Sequence, residues 1–246
     1  MINIGTHGDE RIGFKVVKEL QRLEIIKGNL AINIANPRAV KLNKRYIDSD
    51  LNRAFPGNIH GNHEERRAAE LLPLITSANI IIDIHSTKSE LKDALIVTKL
   101  NKDTKECIKA IAPKYLLYMT ATKKTALISN AKIGIAFEYG GDREEKAIRN
   151  TITGIKKLLA YLGMIKSNLK SNGKQSMCFN VHSMVQKPKN AKLAPAIKNY
   201  KLVKKNEVFG WNKKQALIAQ KDFYPILFGE KNYETIFGFA GKKIKI

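Results

Sequence analysis

Cysteine is scarce in this chain: Cys107 and Cys178 are the two among 246 residues, far apart and in no metal-ligand spacing. That excludes a disulfide framework, which needs several paired thiols, and a thiolate zinc site, which needs closely spaced ones. Long apolar runs are missing as well. None approaches the roughly 20 residues that cross a bilayer, and the N-terminus has no basic stretch followed by an apolar core and a cleavage site. A soluble, cytoplasmic protein with no membrane partner is therefore expected. Acidic residues are few, 22 against 44 Lys and Arg, which gives a formal net charge of +22. A field of that sign draws in anionic substrates and keeps a polyanion- or RNA-binding protein in view as a function class. Arginine-rich blocks and interleaved aromatics are absent, however. The surplus is lysine, scattered in pairs such as 123–124, 156–157, 204–205, 213–214 and 242–243. This pattern reads as a solvated surface, so nucleic acid is not the expected partner. Internal repeats and low-complexity tracts are absent too.

What is present is a long alternation of short apolar runs with amphipathic stretches, the pattern of a mostly parallel sheet covered by helices. Ile12, Val16, Val17, Leu20 and Leu23 recur at helical spacing up to Gly28, and residues 30–34 then read as a strand. Ala68, Leu71, Leu72 and Ile75 mark a helix that Pro73 should kink or interrupt. Residues 79–84 and 94–97 read as strands, with a short helix around Ile108 and Ile111. A last helix carries Ile148, Ile152, Ile155, Leu159 and Leu162 on one face. Asp142, with Glu145 three residues on, is its expected cap, and Gly163 its expected end. Residues 167–175 are polar and read as a linker or exposed loop. Beyond them come short alternating stretches at 178–185, 215–220, 223–228 and 236–239. The expected class is α/β, with residues 1–165 as one domain and residues 166–246 as a small β-rich domain.

Three segments carry chemistry. His7 and Glu10 stand three residues apart in Asn3-Ile4-Gly5-Thr6-His7-Gly8-Asp9-Glu10, Ile80-Ile81-Ile82-Asp83-Ile84-His85 ends an apolar run on an imidazole, and Ile133-Gly134-Ile135-Ala136-Phe137-Glu138 ends another on a carboxylate. Two histidines and one glutamate are a standard ligand set for catalytic zinc, which keeps its fourth position for water or substrate. Glu138 then remains to take a proton from that water. In open α/β sheets ligands bind at the carboxyl ends of the strands, and His7, His85 and Glu138 each follow or end an apolar run. His60, His63 and His182 sit in polar surroundings without partners at useful spacing.

A fourth segment runs from Ala35-Asn36-Pro37-Arg38 through Asn43-Lys44-Arg45-Tyr46-Ile47-Asp48-Ser49-Asp50-Leu51-Asn52-Arg53-Ala54-Phe55-Pro56-Gly57 and is dense in groups suited to carboxylate recognition. In this order the motifs between residues 3 and 141 resemble the succinylglutamate desuccinylase and aspartoacylase family, zinc amidohydrolases on a carboxypeptidase-like fold. The resemblance implies one zinc per chain on His7, Glu10 and His85, with Glu138 as general base and Asp50 orienting His7. It implies Arg45 as the cation that steadies the oxyanion, and Asn52 with Arg53 as the pair that holds a substrate carboxylate, for which an arginine fork is well shaped. The last motif, Phe223-Tyr224-Pro225 to Asn232-Tyr233-Glu234, offers Tyr233 as a residue that closes on substrate or as a packed structural tyrosine. Residues 1–165 become the catalytic domain, and residues 166–246 its cover. Asp83 stays open between orienting a ligand and simple strand-end solvation.

One departure stands out. Aspartoacylases proper carry an arginine about ten residues ahead of the glutamate matched by Glu138, and Thr125-Ala126-Leu127-Ile128-Ser129-Asn130 has none, leaving Lys123 or Lys124 as substitutes. The expected function is zinc-dependent hydrolysis of the amide of a small anionic N-acyl amino acid, with room left for a homo-oligomer. A zinc carboxypeptidase on short peptides would share every site residue. A basic polyanion-binding protein on a silent scaffold is the reading from another class, and the intact metal and base positions argue against it.

Overall fold

The computed structural model describes residues 1–87, 92–122, 124–169 and 175–246. Its centre is a nine-stranded sheet built around three isoleucine-rich strands, β1 (Ile2–Ile4), β3 (Ile80–His85) and β6 (Ile133–Glu138), with β2 (Ile32–Ile34) at the edge beside β1. These four are parallel. Strands covered on both faces read as continuous apolar runs rather than alternating ones, which is why residues 80–84 could be recognised in the sequence. Next to β6, running the opposite way, lie β4 (Ala94–Val97), β5 (Tyr115–Met119) and β7 (Met177–Gln186), parallel to one another. β12 (Ile236–Ile244) and β11 (Tyr224–Ile226) close that side antiparallel. The result is a mixed, mostly parallel sheet flanked by helices. The strands after residue 166 divide between two sheets: β7, β11 and β12 extend the large one, and β8 (Lys192–Leu193), β9 (Val208–Asn212) and β10 (Gln215–Ile218) form a small antiparallel one. The strand at 115–119 and those at 192–193 and 208–212 were not anticipated; short apolar runs carry no periodicity that separates strand from helix.

Helices α1 (Ile12–Leu20), α4 (Lys102–Ile111) and α5 (Glu145–Tyr161) pack Val16, Leu20, Ile108, Ile155 and Leu158 with Ile2, Ile82 and Phe137 in one core. α2 (Pro37–Leu42) and α3 (His63–Ser77) complete the set, and α3 joins Leu71 and Ile75 to Leu51, Phe55 and Leu127 in a second core. Each fully buried side chain of this size contributes roughly 1.5–3 kcal/mol. Pro73 does not interrupt α3, which is continuous through it. The proline faces solvent, where water can satisfy the carbonyl that loses its N–H partner. Gly163, at φ 68°, ends α5 as expected. Residues 170–174 of the expected linker lie outside the described residues. No helix among the described residues is long and apolar enough to cross a membrane.

Asp142 is not the cap of α5. That helix begins at Glu145 after Glu144, without a side-chain cap. Asp142 Oδ1 instead accepts the backbone N–H groups of Arg11 (2.6 Å) and Ile12 (2.8 Å), at the start of α1. α1 has no side-chain cap of its own and no acid in its first turn, so a carboxylate distant in sequence satisfies its free donors. Asp142→Ala should therefore lower stability by about 0.5–2 kcal/mol, the usual worth of an N-cap. Chemical denaturation measures this, and an unchanged midpoint would remove Asp142 from the role.

Candidate active site

β1, β3 and β6 are neighbours running in one direction, so their carboxyl ends form a single edge. His85 is the register partner of Glu138, and in-register residues of adjacent parallel strands point to the same face. β1 stops at Ile4, and Gly5, at φ 63°, turns the chain, a conformation without steric cost only for glycine. The turn carries His7 and Glu10 back over the end of β3. Gly8 is needed for another reason. A Cβ there would lie 2.1 Å from the carbonyl carbon of Ala39, and the Gly8 N–H donates to the Arg45 carbonyl (3.1 Å), so the loop with His7 and Glu10 lies against the segment that carries Arg45.

Glu10 is the hub. Its Oε1 lies 2.7 Å from His7 Nδ1, and its Oε2 lies 3.0 Å from His85 Nδ1 and accepts the Ser86 N–H at 3.0 Å. One ligand atom from each of His7, Glu10 and His85 lies within 4.8 Å of the other two, and all three residues are buried. A second carboxylate takes the far nitrogen of each ring: Asp50 Oδ1 is 3.1 Å from His7 Nε2, and Asp83 Oδ2 is 2.8 Å from His85 Nε2. Thr6 Oγ1 donates to Asp83 Oδ1 at 2.8 Å. The donor set fits a small divalent cation. Metal-bound imidazoles nearly always give their other N–H to a carboxylate or carbonyl, which sets the tautomer, and both rings here are held in that way. Asp83 is thus an orienting partner of His85. Its spacing of two residues from His85 on a strand places both on one face, a signal legible in the sequence.

Electrostatics follow from this packing. Burial alone would lower the pKa of His85, but Asp83 and Glu10 outweigh it and hold the imidazole well above its ordinary value; for His7, Glu10 and Asp50 have the same effect more weakly. Burial would raise Glu10, yet the two histidines hold it below the usual carboxylate range. Glu138 goes the other way: burial pushes it up, His85 opposes and Glu10 adds to the rise. Its Oε2 accepts the Thr87 hydroxyl. Arg45 lies 3.2 Å from Asp50 Oδ2 and 3.6 Å from Glu10 Oε1.

A hollow of about 80 Å³ beside the metal-ligand candidates is lined by Arg45, Asn52, Arg53, Glu138 and Tyr233. Asn52 Oδ1 accepts the Leu127 N–H (2.9 Å), which leaves its NH2 group for another partner, and Arg53 donates to the Asn52 carbonyl (2.8 Å). Ile96, Met119, Ala126 and Ile128 give the same hollow an apolar wall. Lys124 is exposed and does not line it; Lys123 lies outside the described residues. A wider hollow adjoins it past Glu10, Ser86 and Thr87, and Tyr233 borders both. The Tyr233 ring packs edge-on against Phe239, and burial pushes its phenol pKa up. Thr87, Ser86 and Asp142 were not foreseen in the site. Ser86 Oγ donates to Asp142, which ties the loops after β1, β3 and β6 together.

The model of the succinylglutamate desuccinylase/aspartoacylase catalytic domain matches residues 1–162. The chain belongs to this family. A protein of Acaryochloris marina (strain MBIC 11017) named probable aspartoacylase is 32% identical over 184 residues, covering 65% of this chain and 62% of that protein. N-acyl-aromatic-L-amino acid amidohydrolase (carboxylate-forming) B of Danio rerio is 37% identical over 111 residues, 37% of this chain and 35% of that protein. The chain thus spans less than two thirds of the length of these relatives. Among solved structures, murine aminoacylase 3 superposes with a TM-score of 0.78 at 18% identity, covering 99% of this chain and 95% of that one. A succinylglutamate desuccinylase/aspartoacylase from Rhodobacter sphaeroides gives 0.74 at 19%, covering 100% and 86%. At those identities the structures speak for the family fold.

Asp83→Asn in chelator-treated protein should cost up to about 3–5 kcal/mol, because it takes from the buried His85 ring one of its two carboxylate partners and leaves Glu10. The folded-state pKa of His85 is raised, so the stability that this pair contributes is fully present below the ordinary histidine value and is lost as pH rises through the folded value. The penalty should therefore be largest on the acid side of neutrality and shrink above it. Denaturation at several pH values tests this, and a cost that grows with pH would contradict the charged pair.

Proposed function

We propose that this chain is a zinc-dependent amidohydrolase that splits the amide bond of an N-acyl amino acid into a carboxylate and a free amino acid. The observation that carries the reading is the separation of two carboxylates. Glu10 bonds to both imidazoles, whereas Glu138, two strands away, has Thr87 as its partner and a raised pKa. A ligand needs a low pKa and a base needs a higher one. The family match and the names of the relatives support the same reading.

When held by His7, Glu10 and His85, zinc supplies a Lewis acid that polarises the scissile carbonyl and lowers the pKa of water toward 7. Glu138 takes the proton of the attacking water and passes it to the amine nitrogen as the C–N bond breaks. Its raised pKa suits both halves of that exchange, since the carboxylate form accepts the proton and the neutral form gives it up readily. Arg45 donates to the oxygen that gains negative charge, worth on the order of 3 kcal/mol if it behaves as other single oxyanion donors do. Arg53 and the NH2 group of Asn52 hold the substrate α-carboxylate in the smaller hollow. Tyr233, carried by residues 166–246, closes over it, and that β-rich unit serves as the cover of the domain formed by residues 1–165.

Elemental analysis should find about one zinc per chain, and Ala at His7, Glu10 or His85 should empty the site. Zinc must displace protons from the two Nδ1 atoms, so binding should tighten as pH rises. Glu138→Gln should keep the metal and lose roughly 100- to 10,000-fold in turnover, the range that a general base supplies. A screen of N-acetyl and N-succinyl amino acids for released amine provides the assay. Loss of zinc in Glu138→Gln would reverse the division of roles.

Ala126 and Ile128, in the stretch where aspartoacylases proper carry an arginine, give the hollow an apolar wall that offers a second substrate carboxylate no cation. N-acetylaspartate should be preferred over N-acetyl derivatives of small neutral amino acids by less than about a hundredfold in kcat/KM, or roughly 3 kcal/mol. A larger ratio would point to a cation outside the described wall, with Lys123 as the first position to replace.

A further inference from the structure

Glu64 takes no part in that chemistry. It is a charged residue with no solvent exposure, in the first turn of α3 and away from the metal-ligand candidates. Burying a carboxylate is costly unless every lone pair is met, and here four are. Oε1 accepts the Ile47 N–H (2.7 Å) and Asn36 Nδ2 (3.0 Å), and Oε2 accepts the Asp48 N–H (2.9 Å) and the Ser49 N–H (3.0 Å). These hydrogen bonds hold its pKa below the ordinary value although burial acts in the opposite direction.

The donors identify the purpose. Three consecutive backbone N–H groups, from Ile47 to Ser49, close on one carboxylate, and the segment that they form joins Arg45 to Asp50. A concavity of successive N–H groups is an anion site, here filled from within the chain. The fourth donor, Asn36, caps α2 through its Oδ1 and the Ala39 N–H (3.3 Å), and Gly8 is pressed against Ala39. The rest of the α3 start grips the same segment: the His63 N–H donates to Asp48 Oδ2 (2.9 Å) and Asn62 Nδ2 to Ser49 Oγ (3.1 Å). Segments of irregular backbone are otherwise the more mobile parts of a fold.

We propose that Glu64 is a positioning residue: its carboxylate clamps residues 47–49 and thereby sets the guanidinium of Arg45 and the carboxylate of Asp50 against His7. This rests on the amidohydrolase reading for its effect on turnover, while the clamp itself stands independently of it. Glutamine cannot replace the glutamate, because its NH2 group would face two donors in place of an acceptor. Aspartate keeps both oxygens but sits one methylene short.

The test uses the zinc-loaded 246-residue chain with Glu64→Gln, Glu64→Asp and Arg45→Ala, each normalised to bound zinc. Amide exchange of residues 47–49 comes first. Those three amides should exchange slowly in the wild type and much faster in Glu64→Gln while α3 stays protected. Equal rates in both proteins would overturn the clamp, whether or not any substrate is turned over. With the best substrate from the amine-release screen, Glu64→Gln should lower kcat by roughly a hundredfold, the cost of misplacing a catalytic group by about 1 Å, and change KM by less than about threefold. In the Arg45→Ala background the same substitution should change kcat by less than about threefold, because residues acting through one another are not additive. Full additivity would overturn the claim that Glu64 acts through Arg45. If Glu64→Gln does not fold, Glu64→Asp carries the same comparison with a smaller loss, and unchanged kcat and exchange in that variant would count against the proposal. A wild type inactive on every N-acyl amino acid would sink the functional reading alone, because the exchange experiment reads the clamp without it.

Discussion

One carboxylate shared by two imidazoles organises this molecule. Glu10 is buried and takes the Nδ1 side of His7 with one oxygen and the Nδ1 side of His85 with the other. Asp50 and Asp83 then take the Nε2 sides. The outcome is an alternation of carboxylate and imidazole, Asp50, His7, Glu10, His85, Asp83, drawn across the carboxyl ends of two adjacent parallel strands. In a low-dielectric interior no member could be removed cheaply, because each removal takes from a neighbour one of its polar partners. The surrounding loops must therefore deliver all five groups together, which explains how much of the fold is spent on holding loops.

That holding is done largely by other carboxylates. Asp142 binds the start of α1, just after Glu10, and also receives the hydroxyl of Ser86. Glu64 receives three backbone N–H groups from the segment between Arg45 and Asp50. In a chain with 22 acidic residues and 44 basic ones, several of the few acids are thus placed inside, where they bind N–H groups or imidazoles. The lysine surplus stays at the surface, free to attract anionic ligands at long range but screened by salt beyond about 10 Å.

Glu138 shows how the same chemistry is split by position. It is the register partner of His85 on the next strand, yet it lies outside the alternating chain, hydrogen-bonded to Thr87. With burial and the nearby Glu10 raising its pKa, it differs from Glu10 in protonation behaviour although both are glutamates at one edge, Glu10 buried and Glu138 half-buried. Environment rather than residue type separates the two.

Much of the architecture was legible in the chain because parallel strands buried on both faces are apolar for most of their length, as residues 80–82 and 133–137 are. Helical periodicity marked α1 and α5, and the stops at His85 and Glu138 marked the edge where the candidate site lies. Two of the candidate ligands, His7 and His85, were named as polar residues after or at the end of an apolar run, and Glu10 from its spacing of three residues to His7. What the sequence could not disclose were bonds whose partners are distant along the chain. Asp142 looked like the cap of the helix that follows it and caps α1 instead, because α1 starts without a side-chain acceptor and only packing brings the two together. Glu64 gave no signal at all, because its partners are residue 36 and residues 47–49. Hydrophobic pattern and local propensity are properties of neighbouring residues and survive in a one-dimensional text. The pairing of buried polar groups is a requirement of the closed interior, so it was decided only when the loops at the sheet edge came together.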